Sequence, residues 1–206
     1  MCMEKKTAFI VFEGGEGSGK TTQAKALSNR LRRLGFHVVL THEPGGTLLG
    51  NKLRRWVKWG KGVTTQTEMF LFLASRSQLL SGVIRPALEK GNIVICDRFD
   101  ASTFAYQGCG RGMDLDFLKM VNSFVTDGLS PDLVVLLDIS AEEGLKRKKM
   151  KLDVFEREEF LFHQKVRDGY LKMAAADPEH WMVVDASIPK EKIREIIWER
   201  VQPLLG

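Results

Sequence analysis

Residues 9–22 read FIVFEGGEGSGKTT, and Gly14, Gly19, Lys20 and Thr21 within them satisfy the spacing GxxxxGK[ST]. Each residue type suits one task in holding a polyphosphate. Glycines let backbone N–H groups close on phosphate oxygens, a lysine reaches the β and γ oxygens, and a threonine hydroxyl can ligate Mg2+. Gly15, Glu16, Gly17 and Ser18 between them, and Thr22 just beyond, would form the rest of the cradle. Such a loop needs a strand before it and a helix after it, whose positive end adds to the attraction for phosphate. Both are legible. FIVF is apolar throughout, and Ala24, Leu27, Leu31 and Leu34 recur at helical spacing up to Gly35. A merely flexible glycine loop would not need that context.

Other polar clusters fall where further strands end. A strand over 37–41 runs into HEPGGT at 42–47, where Pro44 and the glycines force a turn. Another over 92–96 discharges into DRFDASTFAYQG at 97–108, and ligands gather at such strand ends in parallel sheets. DLVVLLDIS at 132–140 is a near-continuous apolar strand of the kind buried in parallel sheets. A last strand over 181–184 turns at DAS, 185–187, into a helix with Ile193, Ile196, Ile197 and Val201 on one face. Helices fill the intervals, one beginning near Asp114 with Leu118, Val121 and Val125 as its stripe and one ending near Ala176. Strands and helices alternating about every 30 residues predict an α/β fold, a five-stranded parallel sheet with helices on both faces, in one domain over 1–206.

Two charged features stand out from this frame. Arg76 lies inside TEMFLFLASRSQLL (67–80), a helix apolar nearly all round that must bury itself in the core or against another subunit. A charge there is costly unless it is paired or meets a ligand. GLKRKKMKLDVFERE (144–158) carries six Lys/Arg and three Asp/Glu, and is either a solvated helix face or something that approaches an anion.

Composition narrows the functional classes. With 206 residues and 44% hydrophobic content the chain can bury a full core. A net charge of +5 suits a polyanion, and nucleotides meet that requirement as well as nucleic acids do. Cys2, Cys96 and Cys109 have no metal-ligand spacing and are odd in number, which argues against a disulfide framework and for a reducing cytoplasm. No apolar run approaches the roughly 18 residues of a membrane span, and MCMEKKTAF lacks a signal core. Neither membrane nor nucleic acid is expected as a partner.

The combination of EPGGT at 43–47, FLASR at 72–76 and DRFDASTFAYQG at 97–108 behind this loop resembles the thymidylate kinases over nearly the whole chain. The resemblance implies transfer of the ATP γ-phosphate to dTMP, with Mg2+, in a cytoplasmic homodimer. It implies that Phe72 stacks on thymine, that Arg76, Thr103 and Gln107 meet the base edge, and that Tyr106 crowds the sugar against a 2′-hydroxyl. Glu43, Pro44, Arg54 and Ser102 fall with them on the acceptor side. Arg98 would hold the acceptor phosphate and Asp97 would stand near Mg2+ with Thr21. Glu13 would help arrange the acceptor phosphate or its metal, or hold the loop together. Lys20 and the loop would hold ATP, with Arg147 and the DAS turn at its adenine. The basic run becomes a lid. It departs from the family pattern, reading DVFE at 153–156 with Val154 where an arginine is expected, and Lys149 and Lys151 remain to supply the missing charge. A P-loop GTPase would need NKxD, and NKLR at 51–54 has the wrong fourth residue and position. A kinase for another monophosphate would not need Phe72, Arg76, Thr103 and Gln107 together.

Overall fold

Strand β1 (Ala8–Glu13) is buried along its whole length, as only a sheet covered on both faces permits. In the computed structural model, which describes residues 7–59, 62–148 and 156–206, it is the centre of a five-stranded sheet. The order is β2 (Val38–His42), β3 (Ile93–Asp97), β1, β4 (Leu133–Asp138), β5 (Trp181–Asp185), and every pairing is parallel. This is the α/β architecture that the strand and helix alternation predicts. Because side chains alternate along a strand, Ala8, Ile10 and Phe12 face α1 (Lys20–Arg33) and α9 (Lys190–Leu205), packing on Leu27, Leu31, Ile197 and Val201. Phe9 and Val11 face the other layer, where Leu79, Leu80 and Ile84 cover them.

Register brings the functional strand ends together. Phe12 of β1 and His42 of β2 both pair with Asp97 of β3. Beyond them the Glu43 N–H donates to the Asp97 carbonyl and the Arg98 N–H to the Phe12 carbonyl. Glu13, Glu43, Asp97 and Arg98 therefore emerge side by side at one edge of the sheet.

The basic stretch after the EPGGT turn is a helix, α2 (Leu48–Trp59). The helices differ from the sequence reading in three respects. The apolar helix α3 (Thr65–Leu79), capped by the Thr64 hydroxyl, runs through a π-helical segment (Leu80–Ile84) into α4 (Arg85–Glu89) as one rod. Pro86 has no N–H to continue the ladder, and the wider π turn absorbs the gap. The segment after β3 is also wound, α5 (Asp100–Thr103) followed by a second π-helical segment (Phe104–Gly110). Finally, Leu34 lies past the end of α1 and is 55% exposed, and Ile196 is exposed beside the buried stripe of Ile193, Ile197 and Val201. That stripe advances by four residues, and Ile196 falls about 100° away from its neighbour in it.

The remaining helices are α6 (Leu115–Thr126), capped by Asp114, α7 (Ala141–Arg147), capped by Ser140, and α8 (Glu156–Ala176). No helix among the described residues is long and apolar enough to cross a membrane.

Candidate active site

The loop after β1 is held by two close backbone approaches. Gly14 (φ 140) and Gly17 (φ 69) take conformations that favour glycine. A Cβ on Gly14 would strike the Leu137 carbonyl at the end of β4, and one on Gly17 the backbone of Gly144 in α7. The loop is thereby fixed between sheet and helix. No side chain caps the first turn of α1, which leaves that helix end to attract an anion.

Lys20 opens α1, and its buried Nζ donates to the carbonyls of Gly14 (2.9 Å) and Gly15 (2.7 Å) and to Ser18 Oγ (3.2 Å). Ser18 in turn donates to the Gly15 carbonyl. Burial, reinforced by the nearby Arg98 charge, pushes the Lys20 ammonium down to about 7. Thr21 donates its hydroxyl to the Asp97 carboxylate. Two hard oxygens meeting beside the phosphate cradle are the donor chemistry Mg2+ takes, so these residues fit that ion.

Arg98 follows β3 with φ 71, uncommon for a residue with a side chain. Its guanidinium is held on several sides. Nη2 donates to Glu16 Oε1 (2.9 Å) and the Tyr106 hydroxyl (3.0 Å), and Nη1 to Ser102 Oγ (3.2 Å) and the Tyr170 hydroxyl (3.3 Å). Glu16 Oε2 pairs with Lys148 at 2.6 Å. Burial alone would raise the Glu16 carboxyl, but Arg98 and Lys148 hold it down at about 2.

Beneath Arg98, Glu13 is fully buried and accepts from the Phe99 N–H (2.8 Å), Ser102 Oγ (2.7 Å) and the Tyr170 hydroxyl (2.8 Å). Burial pushes its carboxyl up, against the pull of Arg98. Glu13 lines neither of the cavities described next, and touches the site through Ser102 and Tyr170.

Two cavities adjoin here. The smaller, about 320 Å³, is lined by Glu43, Pro44, Phe72, Arg76, Ser102, Thr103, Tyr106 and Gln107, together with Glu16 and Arg98. Apart from Glu16, a loop residue, these are side chains that the sequence assigns to an acceptor, brought together from α3, the segment after β3 and the EPGGT turn; Arg54, assigned with them, does not line this cavity. Arg76, 1% exposed, is committed to protein groups. Nε donates to Glu43, Nη1 to Asn122, and Nη2 to the Phe99 carbonyl and the Thr103 hydroxyl. The alternatives that the sequence leaves for this charge, a salt bridge or a place at a binding site, thus coexist. Thr103 accepts from Arg76 and keeps its own proton to donate.

The larger cavity, about 910 Å³, is lined by Glu16, Gly17, Gly19, Lys20, Thr21 and Thr22, with Asp97, Arg98, Arg54 and Arg147. Arg147 donates to the Ala186 carbonyl (2.9 Å), which brings it to the DAS turn. Arg54 donates to the Pro44 carbonyl (2.8 Å) and lines the larger cavity. Gly14, Gly15 and Ser18 shape the loop from behind. Lys149, Lys151 and Val154 lie outside the described residues.

Sequence reasoning missed Tyr170, Lys148, Glu68, Arg111 and Phe162. A tyrosine on the buried face of α8 is a usable signal, because its hydroxyl needs a partner. The others meet the site over long sequence separations that no local pattern announces.

Comparison with known proteins agrees with this geometry. A family model described as thymidylate kinase matches residues 12–197. The chain is 51% identical to a thymidylate kinase of Dehalococcoides mccartyi, over 96% of this chain and 97% of that one. It is 44% identical to one from Thermomicrobium roseum, over 96% and 95%. A crystal structure of thymidylate kinase from Ehrlichia chaffeensis superposes with a TM-score of 0.79 at 33% identity, covering 95% of this chain and 99% of that one. Matched by this family model and by these relatives along nearly its full length, the chain belongs to the thymidylate kinase family.

Proposed function

We propose that the reaction of this family, ATP-dependent phosphorylation of dTMP to dTDP, runs where the two cavities adjoin, with dTMP in the smaller and ATP in the larger. The observation that carries this reading is that Glu16 and Arg98 line both cavities. A phosphoryl group passing between them stays beside one fixed cation. Phosphoryl transfer needs positioning and charge neutralisation rather than a covalent intermediate. Arg98 takes the acceptor phosphate, and Lys20 with the loop amides takes the donor phosphates. Thr21 and Asp97 would hold Mg2+, which would supply further charge neutralisation on the donor phosphates. Phe72 offers its ring to thymine, Thr103 and Gln107 its edge contacts, and Tyr106 closes on the sugar. Arg147 and the turn at Ala186 border the adenine.

Residues 144–158 act as the lid of a single P-loop kinase domain, with Lys149 and Lys151 donating charge. A homodimer accords with Phe70 on α3 and Met120 and Phe124 on the adjoining α6, which are large, apolar and solvent-facing in the monomer. A cytoplasmic site accords with an ATP-dependent reaction and with the free thiols of Cys96 and Cys109.

The test is a coupled phosphoryl-transfer assay with ATP, Mg2+ and a panel of monophosphates. dTMP should be preferred to dCMP and dGMP. Comparable kcat/KM for dCMP would overturn the assignment of the smaller cavity to thymine.

A further inference from the structure

We propose that Glu68 is a specificity-positioning residue, fixing the Gln107 amide so that its oxygen faces the base edge and selects for a ring N–H at that point. The inference rests on the assignment of the smaller cavity to the acceptor base. Gln107 Nε2 donates to Glu68 Oε1 at 3.0 Å. Arg111 braces the same carboxylate, with Nε 3.3 Å from Oε1 and Nη2 3.2 Å from Oε2, and its guanidinium lies over the Phe162 ring. Glu68, Arg111 and Phe162 all line the cavity.

A carboxylate offers only acceptors, so the amide nitrogen is the group that can face it. The other end of the amide is thereby decided. Gln107 is nearly buried, yet its Oε1 is not among the buried atoms without a partner, and among the described residues no donor reaches it. Its oxygen opens on the cavity as an acceptor. Thymine and uracil present N3–H to such an acceptor, whereas cytosine presents a lone pair at N3. Two facing acceptors leave both groups unpaired away from water, the kind of mismatch that rejects a substrate most strongly. An amide alone could rotate and serve either base. Glu68 removes that freedom.

The test measures kcat/KM for dTMP, dUMP and dCMP with ATP and Mg2+ in wild type, Glu68→Gln, Glu68→Asp, Gln107→Met and the double variant Glu68→Gln/Gln107→Met. Glu68→Gln permits both amide orientations, so the dTMP to dCMP ratio should fall by about tenfold or more. The dTMP to dUMP ratio should hold, because both bases carry N3–H. Glu68→Asp, still an acceptor, should keep discrimination against dCMP. In the Gln107→Met background the change at Glu68 should not move the ratio further. Equal losses for all three substrates in both Glu68 variants would reduce Glu68 to a structural role and overturn the proposal. An unchanged dCMP ratio in Glu68→Gln beside a lowered one in Gln107→Met would do the same while leaving the base assignment intact. A ratio untouched by Gln107→Met would remove the assignment of the cavity itself, and the proposal with it.

Discussion

Arg98 donates to the Glu16 carboxylate across 2.9 Å, and both side chains border the smaller and the larger cavity at once. The carboxylate neutralises the guanidinium, and hydroxyls from Ser102, Tyr106 and Tyr170 hold its plane. If Arg98 takes the acceptor phosphate as proposed, that phosphate would meet a donor fork already oriented, with little ordering left to be done on binding.

Arg98→Lys keeps the charge and loses the fork. One ammonium with three N–H donors cannot replace the four contacts that the guanidinium makes to Glu16, Ser102, Tyr106 and Tyr170. We expect kcat/KM for dTMP to fall on the order of 10²-fold with little change in KM for ATP. Steady-state kinetics with each substrate varied decides the matter, and near-normal dTMP kinetics would mean Arg98 does not hold the acceptor phosphate.

Lys20 gives a pH-dependent signature. Burial holds the free enzyme's ammonium down at about 7, so part of its charge is lost by pH 8. Phosphate oxygens favour the charged form and raise that value, so ATP binding at pH 8 should take up a fraction of a proton per site, and affinity should weaken as pH rises from 7 to 9. Calorimetry in two buffers of different ionisation enthalpy measures the uptake. Lys20→Met should abolish it, and an uptake unchanged in that variant would place the proton elsewhere.

The sequence carried the donor side further than the acceptor side, for a physical reason. Gly14, Gly19, Lys20 and Thr21 act through local backbone geometry, which spacing encodes directly. The buried strands are equally local, since near-continuous apolar runs such as FIVF and LVVLL suit a sheet covered on both faces. Glu13 was visible only as an acid at a strand end, because its role depends on Tyr170, 157 residues away. Glu68 sits in the first turn of α3, where an acid has a local use at the helix end, and nothing local announces its contact with Gln107. The two π-helical segments were hidden because they arise from packing and a proline rather than from a hydrophobic period. Exposure of Leu34 and Ile196 marks where a period was extended one residue too far.

Tyr170→Phe should destabilise the fold and loosen the site together. Removing the hydroxyl takes one of the four hydrogen bonds that a fully buried Glu13 accepts, from two backbone N–H groups and two hydroxyls, a loss of about 1–3 kcal/mol. Thermal unfolding should shift down by roughly 2–10 °C for a chain of this size. KM for dTMP should rise, since the Tyr170 hydroxyl also touches Arg98. Unaltered thermal stability would mean the Glu13 cluster contributes nothing to folding.

Lys149 and Lys151 remain the candidates for charge on the transferring group, while Lys148, just before them, is occupied by Glu16. Alanine at whichever lysine acts should lower kcat by roughly 2–4 kcal/mol equivalent with both KM values little changed. Arginine at that position should keep or raise activity, because its fork grips two oxygens. A double alanine variant turning over at the wild-type rate would make these lysines a solvated face.

The division of the two substrates between the two cavities is tested most directly by a crossed kinetic measurement on Tyr106→Ala and Arg147→Ala. Tyr106 lines only the smaller cavity and Arg147 only the larger. Tyr106→Ala should raise KM for dTMP with KM for ATP little changed, and Arg147→Ala should do the reverse. Tyr106→Ala acting on KM for ATP, with KM for dTMP untouched, would contradict the account.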